Sequence, residues 1–270
     1  MTHSPPGGAG LVPPRIAALV RDGVLDEELA SLVWLLVESR LPVVVAGGSP
    51  AWRTTVRAAL LDLLPPGTRA VRLRGEDETF DWLPEAGALG WRGPVTPSAG
   101  AGVAPADPAW TVLLADLVDR PPNGTWGERA RLAIRAVTIG YGMAATAGGD
   151  RLEDVLARLA AAPVAAIDDE LTRLGIVLVL APAGDDPGRC RVAAAHYLRP
   201  VQRDAHGHVQ RMAPAVLATW DARTGRFEHF AWGIADELAG RTGRSVAELE
   251  RDRAHRAAHL SGLWRGGSAT

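Results

Sequence analysis

The chain contains no lysine; all 29 of its basic residues are arginine. A mechanism that needs an ammonium group at a phosphate is therefore excluded unless a planar guanidinium takes its place. There is one cysteine, Cys190, which rules out an internal disulfide framework and fits a reducing compartment. The opening stretch "MTHSPPGGAGLVPP" lacks a basic segment followed by an apolar one, so it does not read as a signal peptide. The longest apolar runs, 29–37 and 41–46, are separated by Glu38 and Arg40 and are too short to cross a bilayer; they read as buried core. With 29 basic against 31 acidic residues, no electrostatic footprint for nucleic acid is expected. No internal repeat is visible. What remains is 270 residues that are 47% hydrophobic, enough to bury the core of one large domain or two modest ones.

Periodicity places the elements. Residues 1–14, rich in Pro and Gly, are expected to be disordered. A helix is predicted over 25–40, with Asp26 as N-cap and Leu29, Leu32, Val33, Leu36 and Val37 on one face. A uniformly apolar strand follows at 43–46, of the kind buried in a parallel sheet. The next helix carries Val56, Leu60, Leu61 and Leu64, and Pro65-Pro66-Gly67 stops it. Strands at 70–73, 110–115 and near 142 alternate with helices at 128–139 and 151–161, and 87–109 reads as a long loop. This alternation argues for a doubly wound, mostly parallel α/β sheet. After Leu174 the pattern changes to short strands at 176–180, 191–197, 216–220 and 227–230, separated by polar turns, then a terminal helix over 245–263. That pattern predicts a C-terminal antiparallel strand and helix appendage.

The stretch "VVVAGGSPAWRTT" has the outline of a phosphate-binding loop between a strand and a helix. Gly47 stands at the first glycine and Thr54 at the hydroxyl that holds Mg²⁺. Arg53 stands where lysine is expected, Trp52 where a glycine is expected, and Pro50 removes one N–H donor. The direction of the Trp52 indole, out of the loop or across it, decides whether a phosphate can enter. An ordinary strand–turn–helix corner is the competing reading of the motif.

"LDEELASLVWLLVESRLPVVVAGG" with Thr54-Thr55, "RLRGEDETFDWLP", "WTVLLAD" and "GERARLAIRAVTIGYGMAAT" follow one another in an order and spacing that resembles the type II/IV secretion ATPase family, in its tight-adherence pilus-like branch. The resemblance spans about residues 15–235. It implies a RecA-like P-loop NTPase core at 15–173, a β-rich appendage with a terminal helix at 174–270, ATP and Mg²⁺ as ligands, and an oligomeric ring. It also implies inner-membrane secretion or pilus components as partners, and a cytoplasmic location, peripheral at the inner face of the membrane. The implied nucleotide-binding residues are Gly47, Gly48, Ser49, Arg53, Thr54 and Thr55, with Thr54 on the metal. Asp116 falls at the family's catalytic glutamate, and Glu76 within its acidic pair. Asp116 follows Ala115 where the family has Gly-Glu, Gly148-Gly149 replaces His-Ala of the histidine box, and the loop at 95–110 replaces an arginine-rich helix.

Several lost groups point to a degenerate member, nucleotide-binding at most, with weak or no hydrolysis, forming a homo-oligomer or a hetero-oligomer with an active paralogue. A divergent working ATPase and an interaction protein that binds no nucleotide are the alternatives. Arg129, Arg131 and Arg135 could supply cations across subunits or form a solvated basic side. Trp82 and Trp91 could form a contact surface or pack in the core. His206 with His208, and His255 with His259, have metal-like spacing but no third ligand in view; a polar turn and a solvated basic helix face are the simpler readings.

Overall fold

The computed structural model describes residues 14–93, 105–184, 186–203 and 209–265. The expected disorder of the N-terminal segment up to residue 13, the centre of the predicted loop at 94–104 and the His206/His208 turn lie outside the described residues.

The described residues begin with α1 (Pro14–Arg21) and α2 (Glu27–Glu38). Asp26 caps α2, its carboxylate accepting from Leu29 N at 2.9 Å, and Glu27 and Glu28 sit at the positive end of the helix. β1 (Val43–Gly47) is buried at every position and leads into α3 (Pro50–Leu61). β2 (Arg69–Arg72), β3 (Thr111–Leu117), α4 (Glu128–Thr138), β4 (Gly142–Ala147), α5 (Leu152–Ala160), the short α6 (Asp168–Leu171) and β5 (Ile176–Ala183) follow. Then come β6 (Asp186–Tyr197), the two-residue strands β7 (Gln202–Arg203) and β8 (Val209–Gln210), β9 (Ala215–Asp221), β10 (Arg226–His229), α7 (Ala235–Arg241) and α8 (Val246–Arg265).

Eight strands form one sheet in the order β10-β9-β6-β5-β1-β4-β3-β2. From β5 to β2 the ladders are parallel; from β5 to β10 they are antiparallel. β1 lies in the middle, with Val44 beside Ala145 of β4 and Val177 of β5. Alternate β1 side chains face opposite layers. Val43 and Val45 pack with α1, α2, α3, α7 and α8; Val44 and Ala46 pack with α4, α5 and α6. Helices thus cover both faces of the parallel half, the doubly wound arrangement that the alternation predicted. Among the described residues no helix is long and apolar enough to cross a membrane.

One strand differs from expectation. The strand expected at 176–180, read as the start of the antiparallel region, runs over Ile176–Ala183 and pairs parallel with β1. Its five leading residues are all buried, which requires cover on both faces and suits the centre of a parallel sheet. The sheet therefore runs without a break across residue 174. Helices α1, α6 and α7 were not anticipated. Trp82 and Trp91 are core residues: both pack on Phe80, and Trp82 also meets Tyr141 edge-on.

The edge strand β10 is tied back to α2. His229 Nε2 lies 2.8 Å from Asp26 Oδ2 and 3.7 Å from Glu28 Oε2, with Arg253 of α8 the nearby cation. Burial alone would lower the imidazole pKa, but the Asp26 hydrogen bond and the two carboxylates outweigh it, and the net shift is upward. A raised folded-state pKa gives stability that is complete below about pH 6.5, the unfolded value, and is lost as pH rises through the folded one. The gap in unfolding free energy between the parent and His229→Gln should therefore be wider at pH 6 than at pH 8.5. Urea titrations at both values test this, and an equal gap would refute it.

Candidate functional site

β1 hands the chain to α3 on one face of the sheet, and β4 hands it to α5 on the other. Adjacent parallel strands that exit to opposite faces leave a crevice at their carboxyl ends, where open α/β sheets bind ligands. Here its floor is the end of β1, the Asp116 end of β3 and the Thr146 end of β4.

The connection from β1 to α3 is only Gly48 and Ser49. Gly47 (φ +72°) and Gly48 (φ +57°) both adopt the left-handed region and turn the backbone sharply beside Leu180 of β5. Ser49 caps α3, its hydroxyl accepting from Trp52 N at 3.3 Å, and Pro50 occupies the first helical position. The longer loop implied for 47–55 is not formed: Trp52, Arg53, Thr54 and Thr55 lie in the first two turns of α3. Ser-Pro is a helix-start signal, and with tryptophan in place of glycine nothing interrupts the helix.

The candidate residues separate accordingly. Arg53 turns inward and is 9% exposed; its Nη1 donates to Gly47 O at 3.1 Å and Gly48 O at 2.8 Å. Burial first, then the charge of Arg120, hold its pKa below the usual arginine value, while Asp116 and Asp150 oppose the shift. Thr54 and Thr55 turn outward. Their hydroxyls donate to Pro50 O and Ala51 O, each at 3.0 Å, the back-bonding common for threonine in helices. Both line a cleft between α1 and α3 together with Arg15, Leu19 and Trp52. The Trp52 indole thus leaves the turn uncovered and packs toward α1.

Asp116 is engaged. Its Oδ1 accepts from Arg57 Nη1 at 2.6 Å and from Thr146 Oγ1 at 2.8 Å. Arg57 is 3% exposed and also donates to Ala115 O at 3.0 Å. Neither Arg57 nor Thr146 was singled out from the sequence. The available signal was register: residues 53, 56, 57 and 60 form one helical face, so two arginines share it with Val56 and Leu60. Glu76 lies in a 3₁₀ turn after β2, with its side chain exposed and its N–H donating to Pro122 O. The buried carboxylate of that segment is Glu78, which accepts from Arg74 N, Phe80 N and Trp82 Nε1. It holds the turn in place.

The crevice therefore gathers Gly47, Gly48, Ser49, Arg53 and Asp116. Thr54 and Thr55 lie outside it. As folded, Thr54 lines the cleft beside α1, Asp116 is paired with Arg57, and Arg53 is held on backbone carbonyls. The arginines of α4 have partners within the chain. Arg131 and Arg135 reach Glu170 at 3.7 and 2.7 Å, and Arg129 lies over Trp91 and donates to Glu78 O. On α8, Arg253 and Arg256 face Glu28 and Glu38 of α2, so that side of the helix is a packed interface and not a solvated one. Among the described residues no three His, Cys, Asp or Glu are grouped to hold a metal ion.

The fold and crevice define a doubly wound α/β protein with its polar cleft at the switch point between β1 and β4. No protein-family model and no curated protein sequence matches the chain. Among solved structures it is similar to the VirB11 ATPase of the Brucella suis type IV secretion system, solved in complex with sulphate, at 19% identity and a TM-score of 0.43. The match covers 72% of this chain, which spans 60% of that one.

Proposed function

We propose that this chain is a secretion- or pilus-type ATPase homologue that has lost hydrolysis and acts through its contacts, as a structural or regulatory partner of a type II/IV secretion or pilus machine. The sequence resemblance over about 15–235 supports the lineage. The loss of chemistry rests on one observation, the Arg57–Asp116 ion pair at 2.6 Å. A carboxylate that orients an attacking water must be free to turn toward it. Here Oδ1 serves a buried guanidinium and a threonine hydroxyl, which fix the carboxylate in a structural contact and leave Oδ2 to a water. Phosphoryl transfer depends on positioned charge, and each lost group typically costs about 10²- to 10³-fold in rate.

In this reading the chain assembles as an oligomer, with copies of itself or with an active paralogue, at the cytoplasmic face of the inner membrane. Phosphate release from ATP·Mg²⁺ by the purified protein is expected to match the buffer background, and Thr54→Ala and Asp116→Asn are expected to leave it there. Turnover that either substitution abolishes would sink the proposal and favour a divergent working ATPase. Calorimetric titration with ATP·Mg²⁺ alongside tests residual binding.

A further inference from the structure

A second cavity opens beside α5 and α6. It holds about 320 Å³, within the size range of small-molecule sites. Leu156 and Ala160 of α5, Leu171 of α6, and Leu198 and Met212 beyond β6 make its walls apolar. Leu171 and Leu198 are 5% and 2% exposed, so the floor is continuous with the core under α5.

The lining charges are Arg199, Arg211 and Asp168, a surplus of one positive charge. Arg199 is held by Glu237 of α7 at 2.8 Å, with both side chains largely buried. Arg211 pairs with Asp168 at 2.8 Å, but these side chains are 66% and 58% exposed. An exposed ion pair contributes little and exchanges readily for an incoming carboxylate. The cavity thus offers an apolar chamber with an exchangeable guanidinium at its mouth.

We propose that this cavity binds a small apolar carboxylate, an aliphatic or aromatic acid. The chain or ring fills the space between α5, α6 and Met212, and the carboxylate displaces Asp168 from Arg211. This site is independent of the crevice, and its test reads no nucleotide.

Octanoate, with its neutral counterpart octanol, is the probe. Calorimetric titration of the full chain should give saturable one-to-one binding of octanoate. Ala160→Trp, which fills the chamber from an exposed helix position, should weaken binding at least tenfold. Arg211→Ala should weaken octanoate severalfold and leave octanol unchanged. Ala157→Trp, three residues earlier on the same face of α5, repeats the filling test, and circular dichroism verifies that each variant folds. Absence of saturable octanoate binding, or unchanged binding by both filled variants, would overturn the site. Equal binding of acid and alcohol with no response to Arg211→Ala would overturn the assignment of a carboxylate.

Discussion

Asp116→Ala is expected to destabilise the fold by about 3 kcal/mol, the low end of the cost of breaking a buried ion pair. For a chain of this size that is a fall in Tm of roughly 6–12 °C. The cost arises on the other side of the pair. Arg57 is 3% exposed, and without Asp116 its guanidinium keeps one neutral acceptor, Ala115 O. The low end applies because the Asp116 side chain is 34% exposed and water can partly replace it. Asp116→Asn retains the shape and an acceptor for Thr146, and should cost less. A carboxylate kept free for chemistry behaves in the opposite way, since removing it leaves stability unchanged or raises it. Urea denaturation of Asp116→Ala, Arg57→Met and the double variant separates the two cases. Independent, additive effects would show that the pair is not formed in solution.

Gly47→Ala should cost about 4 kcal/mol, and Gly48→Ala only about 1–2 kcal/mol. Both residues have positive φ, so each substitution carries the left-handed penalty. They differ in what a Cβ would meet. At Gly47 it would fall 2.2 Å from Leu180 O, a backbone atom of the paired strand β5 that cannot move aside. At Gly48 the nearest atom is the Leu180 Cβ at 3.3 Å. The comparison bears on function, because the glycine that resembles the first residue of a phosphate loop has a purely structural reason to be glycine: close approach of β1 to β5. Matched thermal melts and soluble yield check the contrast. Equal, small effects at the two positions would mean that the strands are not so closely paired.

Much of the fold was legible in the residues. The Asp26 cap, the apolar face from Leu29 to Val37 and the apolar run at 43–46 are local signals, and each lies within the element its pattern placed there. The candidate site was legible only in part. Gly47, Gly48, Ser49, Arg53 and Asp116 share the crevice, but the sequence order that resembles a family motif suggested a loop where Ser49-Pro50 starts a helix. That start turns Thr54 and Thr55 away from Arg53, by about 100° and 200°, because neighbouring positions on a helix are about 100° apart.

By itself the sequence determined most of the longer strands and helices, and that no lysine can serve a phosphate. Those properties depend on nearest neighbours and on periodicity. Tertiary structure alone decided that β5 joins β1 in parallel, that Arg57 reaches across 59 positions to Asp116, and that Thr146 completes that contact. Pairing direction and long-range ion pairs depend on which surfaces meet once the sheet has closed. In an apolar run or on a single charged side chain, no local feature records its eventual partner.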